Sequence, residues 1–115
     1  MWVHGVDPRD TRWEVLHPAY RVYFWQQPHP EDPHSIWISD EWEIGDADVD
    51  EVLNWARDNA AGRRFVVYVR IDTVRPGEPG LVRLLGTDPL DELSENMSTS
   101  LEGRFAQRVR LPVRR

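Results

Sequence analysis

The clearest hydrophobic pattern in the chain is a stripe of helical period followed by an apolar strand. The stripe consists of Val49, Val52, Leu53, Ala56 and Ala60, which recur at intervals of three and four residues. This spacing is typical of one face of an amphipathic α-helix. Asp48 and Glu51 stand at the two positions of a capping box, and Gly62 suits the left-handed residue that ends a helix. The pattern therefore predicts a helix over 48–61.

Alternating apolar and polar residues predict strands on both sides of this helix. The predicted strands lie at 12–16, 20–25, 35–44, 65–72 and 81–85. The strand at 65–72 is apolar on both faces, which is typical of an inner strand. We expect it to form a hairpin with 81–85 and to pack its Phe65 face against the helix. Asp40 interrupts the apolar parity of 35–44, which indicates a bulge or a bend there.

The remaining segments complete a prediction of one domain spanning 1–115. An aspartate followed by proline indicates a helix start, so a short helix is expected near 89–97. Residues 1–11 are interpreted as an N-terminal arm, and the arginine-rich residues 104–115 as a tail or an edge strand. The predicted fold class is α+β: a mostly antiparallel sheet of about five strands, with one long helix packed on one face and a short C-terminal helix.

Composition narrows the classes of function. The net charge of −6 argues against binding to nucleic acid or anionic membranes, although residues 104–115 carry five arginines and no acid. Without lysine or cysteine, the chain cannot use lysine Schiff-base chemistry, thiolate catalysis or disulfides. No apolar run is long enough to span a membrane, and the N-terminus does not resemble a signal peptide. We therefore expect a cytoplasmic protein.

Polar clusters suggest weak candidates for chemistry. His29 and His34 flank two acids in a loop with three prolines, which is a poor cage for zinc. The seven carboxylates between residues 40 and 51 favour a solvated acidic face, or else a docking surface for a basic partner. No serine-nucleophile or phosphate-loop motif is present in the sequence. We therefore expect no catalytic residues, no cofactor and no metal.

Tryptophan is unusually frequent, with six residues in the chain. Strand parity places Trp25 and Trp37 on the sheet face opposite the helix, together with Tyr23 and Tyr68. Either the chain termini cover this face, or it is exposed to a protein partner or a second copy. The predicted interaction surface consists of Tyr23, Trp25, His29, His34, Trp37, Glu41, Glu43 and Tyr68.

Four motifs together resemble a family of small, uncharacterised actinobacterial proteins. They read R-W-E-V-x-x-P-x-Y-x-V-Y-F-W at 12–25, D-A-D-V-x-E-V-L-x-W-A at 46–56, F-V-V-Y-V at 65–69 and R-L-x-G-T-D-P at 83–89. The resemblance implies a bacterial, cytoplasmic protein, and it carries no activity and no catalytic residues to this chain.

The sequence favours a non-enzymatic protein–protein interaction or regulatory module, with a homodimer as one form of partner. One alternative is an immunity-type or antitoxin-like binder whose acidic face covers a basic toxin. The other is a small enzyme or ligand-binding protein with a pocket near loop 26–35, using His29, His34 or Glu41.

Overall fold

The computed structural model of the protein describes residues 1–72 and 77–92, and the backbone of a short strand at 108–110. Its elements are a single 3₁₀ turn (Pro8–Asp10), β1 (Tyr20–Gln26), β2 (Trp37–Ile44), α1 (Val49–Asn59), β3 (Arg64–Ile71), β4 (Gly80–Leu85) and β5 (Arg108–Arg110). Helix and sheet follow one another along the chain as the sequence predicts, and the class is α+β.

Four antiparallel strands form the sheet, in the order β4-β3-β1-β2. The predicted hairpin between β3 and β4 is confirmed, and β3 is an inner strand as expected. The three residues of β5 lie parallel to β2 along its outer edge. The antiparallel sheet thus has four strands rather than the predicted five, because residues 12–16 do not belong to it.

The predicted strand at 12–16 is wrong. These residues have no regular structure, and the side chains of Trp13, Val15 and Leu16 are 65%, 55% and 77% exposed. Alternation of apolar and polar residues shows that a segment is able to form a strand. A strand also needs a neighbouring strand that pairs with its backbone N–H and C=O groups. Among the described residues, no strand pairs with this segment.

Helix α1 covers the face of the sheet on which Phe65 lies, as predicted. Val52 and Ala56 are fully buried against Phe24 and Val67, with Phe65 packed at the side. Asp48 caps the helix, and its backbone N–H donates to the Glu51 carboxylate at 3.1 Å, which forms the capping box. The chain leaves the helix through residues 61 and 62, both with positive φ.

The irregularity predicted at Asp40, a bulge or a bend, is not a bulge. Strands β1 and β2 pair without interruption from Gln26↔Ile38 to Tyr20↔Ile44, with Asp40 opposite Phe24. Asp40 stays on the apolar face because Arg63 reaches it, with Nη1 at 3.1 Å from Oδ2. The irregularity in the sheet lies instead between β3 and β4, next to Tyr68.

The opposite face of the sheet carries a second, smaller core. Tyr23, Trp25 and Val66 are buried there, with Trp37, Tyr68 and Leu90 packed around them. Residues 89–92 are helical after the predicted cap, since the Leu90 N–H donates to the Asp88 carboxylate at 2.8 Å. The rest of the predicted helix, 93–97, lies outside the described residues.

Candidate functional site

The aromatic part of the predicted interaction surface is partly covered. Tyr23 and Trp25 are 5% and 1% exposed, so neither ring is available to a partner. Trp37 and Tyr68 are half-buried beside them. The cover includes Leu90, which packs on the cluster. These two rings are covered in part by Leu90, which belongs to neither of the terminal segments predicted to cover this face.

The histidine loop is a compact series of turns on the surface. The Asp32 carboxylate accepts from the His34 N–H at 2.9 Å, and the Ser35 hydroxyl donates to the His29 carbonyl at 2.8 Å. His29 and His34 are both exposed, and His29 Nδ1 lies 3.5 Å from Glu31 Oε1. Within residues 1–72 and 77–92, no three potential ligands converge as a metal site would require.

Glu43 joins three strands on the face opposite the helix. Its Oε1 accepts from Arg21 Nε and from Arg70 Nη1, each at 3.2 Å, and Arg70 Nε also donates to Asp72 at 2.9 Å. Burial raises the pKa of Glu43, but the two arginine hydrogen bonds outweigh it, so the pKa lies below its usual value. The carboxylate is therefore a structural anion at neutral pH.

Arg21 links this ion pair to the smaller core. A hydrogen bond with Tyr23, followed by the contact with Glu43, raises the pKa of the Arg21 guanidinium despite its partial burial. Two residues of the predicted surface, Tyr23 and Glu43, thus share Arg21 as a neighbour within the fold. Both have structural roles that explain their presence in the sequence.

Four of the seven carboxylates between residues 40 and 51, here called the acidic band, have structural roles in the fold. Asp40 pairs with Arg63, Glu43 with two arginines, and Asp48 and Glu51 cap the helix. Glu41, which stands opposite Tyr23, is half-buried. The band therefore does not form a continuous, uncommitted acidic face.

Arg63 connects the end of α1 to strand β2 of the sheet. Its guanidinium donates to the Asn59 and Ala60 carbonyls, each at 2.9 Å, and lies 4.5 Å from the centre of the Phe24 ring. Asp40 Oδ1 is buried, and it has no hydrogen-bond partner among the described residues. Arg63 thus contacts the end of the helix, whereas Arg64 turns to the Thr87 carbonyl and to Glu92.

An open apolar edge is the feature that sequence reasoning missed. All six residues of β4 are exposed, among them Leu81, Val82, Leu84 and Leu85 at 38% to 50%. Strand β4 is the outer strand of the sheet, and no described strand pairs with its outer side. A run of apolar residues between Gly80 and Gly86 was the available signal, but the sequence does not reveal that this strand is outermost.

Residues 1–16 together form an N-terminal arm, longer than the predicted 1–11, which is the second exposed apolar element. Its exposed apolar side chains are Met1, Trp2, Val3, Val6, Trp13, Val15 and Leu16. The arm is fixed at its base, where the Ala19 carbonyl accepts from the Arg70 N–H at 2.9 Å. His17 Nδ1 lies 4.0 Å from the Asp48 carboxylate, close to the start of α1.

Comparison with known proteins does not add to this picture. No protein-family model matches the chain, and no curated protein or solved structure is significantly similar to it. The resemblance to an actinobacterial family stays a prediction, as do the immunity-type binder and the enzyme with a pocket near loop 26–35. None of the described helices is long and apolar enough to cross a membrane.

Proposed function

We propose that the protein is a non-enzymatic protein–protein interaction module that binds an extended segment of its partner along β4. The observation that carries this proposal is the exposure of the whole of β4, including four large apolar side chains. Large exposed apolar groups that lie together are typical of surfaces that another molecule covers.

The backbone of an outer strand is a ready-made template for a further strand. Its outward N–H and C=O groups have no ladder partner, and proteins usually protect such edges with charges, prolines, bulges or a covering element. Strand β4 carries one charged residue, Arg83, among its six residues, and no proline. Among the described residues, only Arg83 and the register shift next to Tyr68 protect this edge against pairing, which favours recognition by strand addition.

The two faces of β4 define the side chains that a bound segment needs. Val82 stands beside Val69 on the helix-covered side of the sheet, and Leu81 stands beside Arg70 on the other side. Consecutive residues of a strand point to opposite faces. An added strand therefore places side chains beside Val82 on one face and beside Leu81 on the other. We expect the preferred segment to have apolar residues on both faces.

A selection from a displayed peptide library on the immobilised full-length protein tests the proposal. We expect the selected peptides to share extended sequences with apolar residues on both faces, and to bind along β4. Val82→Glu should weaken their binding at least tenfold, because the added strand would bury the new carboxylate. The measurement is the dissociation constant of the best peptides, obtained by fluorescence anisotropy.

Val49→Glu is the matched control for this experiment. Val49 is 41% exposed at the start of α1, where a carboxylate is compatible with the helix dipole. The same change in charge and size should leave peptide binding unchanged at this position. Equal binding by the wild-type and Val82→Glu proteins would contradict the proposed function.

A further inference from the structure

We infer that the segment bound along β4 is residues 12–16 of a second copy of this chain. The inference rests on the proposed strand addition and names its partner. Segment 12–16 has the alternating pattern of a strand, and its apolar side chains are exposed. Among the described residues, segment 12–16 has no strand to pair with, and β4 has no strand on its outer side.

Charge places the two elements in one register. Segment 12–16 has Glu14 at its centre, and the apolar run 81–85 has Arg83 at its centre. Antiparallel pairing with Glu14 opposite Arg83 brings Trp13 opposite Leu84 and Val15 opposite Val82. Opposite charges facing each other across strands are favourable. None of the ion pairs among the described residues involves Glu14 or Arg83.

The arm cannot easily reach β4 of its own chain. Ala19 is still paired with β3, so only residues 17 and 18 link segment 12–16 to the sheet. A strand outside β4 lies three strand positions from β1, a sideways distance of about 14 Å. The three Cα–Cα steps from Leu16 to Ala19 span at most about 11 Å. The segment is therefore available to a neighbouring molecule.

A twofold axis perpendicular to the sheet makes the exchange reciprocal. An arm that continues in line with β1 leaves the sheet at the end of the strands where Tyr20 pairs with Val69. A second molecule rotated by half a turn about this axis presents its β4 antiparallel to the arm. The same rotation brings its own arm to β4 of the first molecule. Two equivalent strand additions close the assembly as a dimer.

Cysteine cross-linking tests the contact, because the natural chain has no cysteine. The chain with Glu14→Cys is mixed with a longer, tagged chain carrying Arg83→Cys, and the mixture is oxidised under mild conditions. Residues opposite each other in antiparallel strands have Cβ atoms close enough for a disulfide. We expect the mixed cross-linked dimer to exceed either homodimer several-fold on a non-reducing gel. Adding Val15→Asp to the Glu14→Cys chain should abolish this excess.

Three outcomes would overturn the inference. Cross-linking of the Arg83→Cys chain with itself in preference to the mixed dimer would mean that two β4 edges pair directly. A chain that carries both Glu14→Cys and Arg83→Cys and cross-links only within itself would mean that the arm binds β4 of its own chain. Purely statistical cross-linking, together with library peptides that still bind β4, would leave the proposed function intact and assign the edge to a different protein. If library peptides also failed to bind, both proposals would fall.

Discussion

Strands β1 and β4 have similar shares of apolar residues but opposite environments. Five residues of β1 are buried, whereas every residue of β4 is exposed. The difference arises from strand order, because β1 is flanked by β2 and β3 and covered on both faces. Among the strands that the structure describes, β4 has only β3 as a neighbour. Apolar content thus marks a segment as a strand, and position in the sheet decides whether that content stabilises the fold or forms a surface.

The largest expected effect lies where β4 joins the rest of the fold, at Gly86. This residue has φ of +87°, and a Cβ there would lie 2.6 Å from the Phe65 carbonyl oxygen and 3.2 Å from the Val66 Cα. We expect Gly86→Ala to lower the free energy of unfolding by about 3 to 4 kcal/mol, from backbone strain plus overpacking. Urea denaturation followed by circular dichroism measures this loss.

Gly62→Ala is the control for the effect of backbone conformation alone. Gly62 also has positive φ, at +78°, but a Cβ there meets no atom within 4 Å. Its cost should be about 1 kcal/mol. Equal losses for the two variants would mean that the contact of Gly86 with β3 does not hold the end of β4.

Arg63→Met tests how much the contacts of Arg63 with Asp40 and with the end of α1 contribute to stability. The change leaves Asp40 buried without its ion-pair partner and removes two hydrogen bonds to the end of α1. We expect a loss of about 2 to 3 kcal/mol in the free energy of unfolding. Arg21→Met, which breaks the more exposed pair with Glu43, should cost less than about 1 kcal/mol. A reversed order would contradict the structural role of Arg63.

A matched pair of valine substitutions compares β1 with β4 directly. Val22 is fully buried and Val82 is 50% exposed. Val22→Ala should cost about 2 to 3 kcal/mol because it removes two buried carbons and leaves a cavity. Val82→Ala should cost less than about 0.5 kcal/mol when measured at protein concentrations too low for self-association. Similar costs would mean that β4 is part of a core.

The smallest effect is the dependence of stability on pH at Glu43. Its pKa is lowered in the folded protein, so its contribution is present above the ordinary glutamate pKa and is lost as pH falls through the folded value. Because the side chain is 41% exposed, Glu43→Gln should cost only about 0.5 kcal/mol at pH 7. The two proteins should become equally stable at low pH, and a constant difference at every pH would count against this ion pair.

Local patterns predicted the elements that depend on neighbouring residues in sequence. The helix, its capping box and β3 follow from periodicity and from residues a few positions apart. Asp40 was misread because its partner, Arg63, lies 23 residues away and is brought close only by the fold. Segment 12–16 was misread because its pattern is that of a strand, whereas pairing requires an edge to bind.

The candidate site was harder to predict than the fold. The sequence placed Tyr23, Trp25, Trp37 and Tyr68 on one face of the sheet, and they do form one cluster. It could not show that Leu90 packs on that cluster. Nor could it show that β4 is outermost, since the order of strands is set by long-range pairing. The surface with the strongest case for binding therefore emerged only from the structure.

Amide hydrogen exchange at increasing protein concentration tests the central claim most directly. If β4 receives segment 12–16 of a second copy, the outward amides of β4 and the amides of 12–16 should become protected together as concentration rises. The amides of β1 should show no change, and Val15→Asp should remove the effect from β4. Exchange at β4 that is independent of concentration, or protection of β4 without protection of 12–16, would contradict the account.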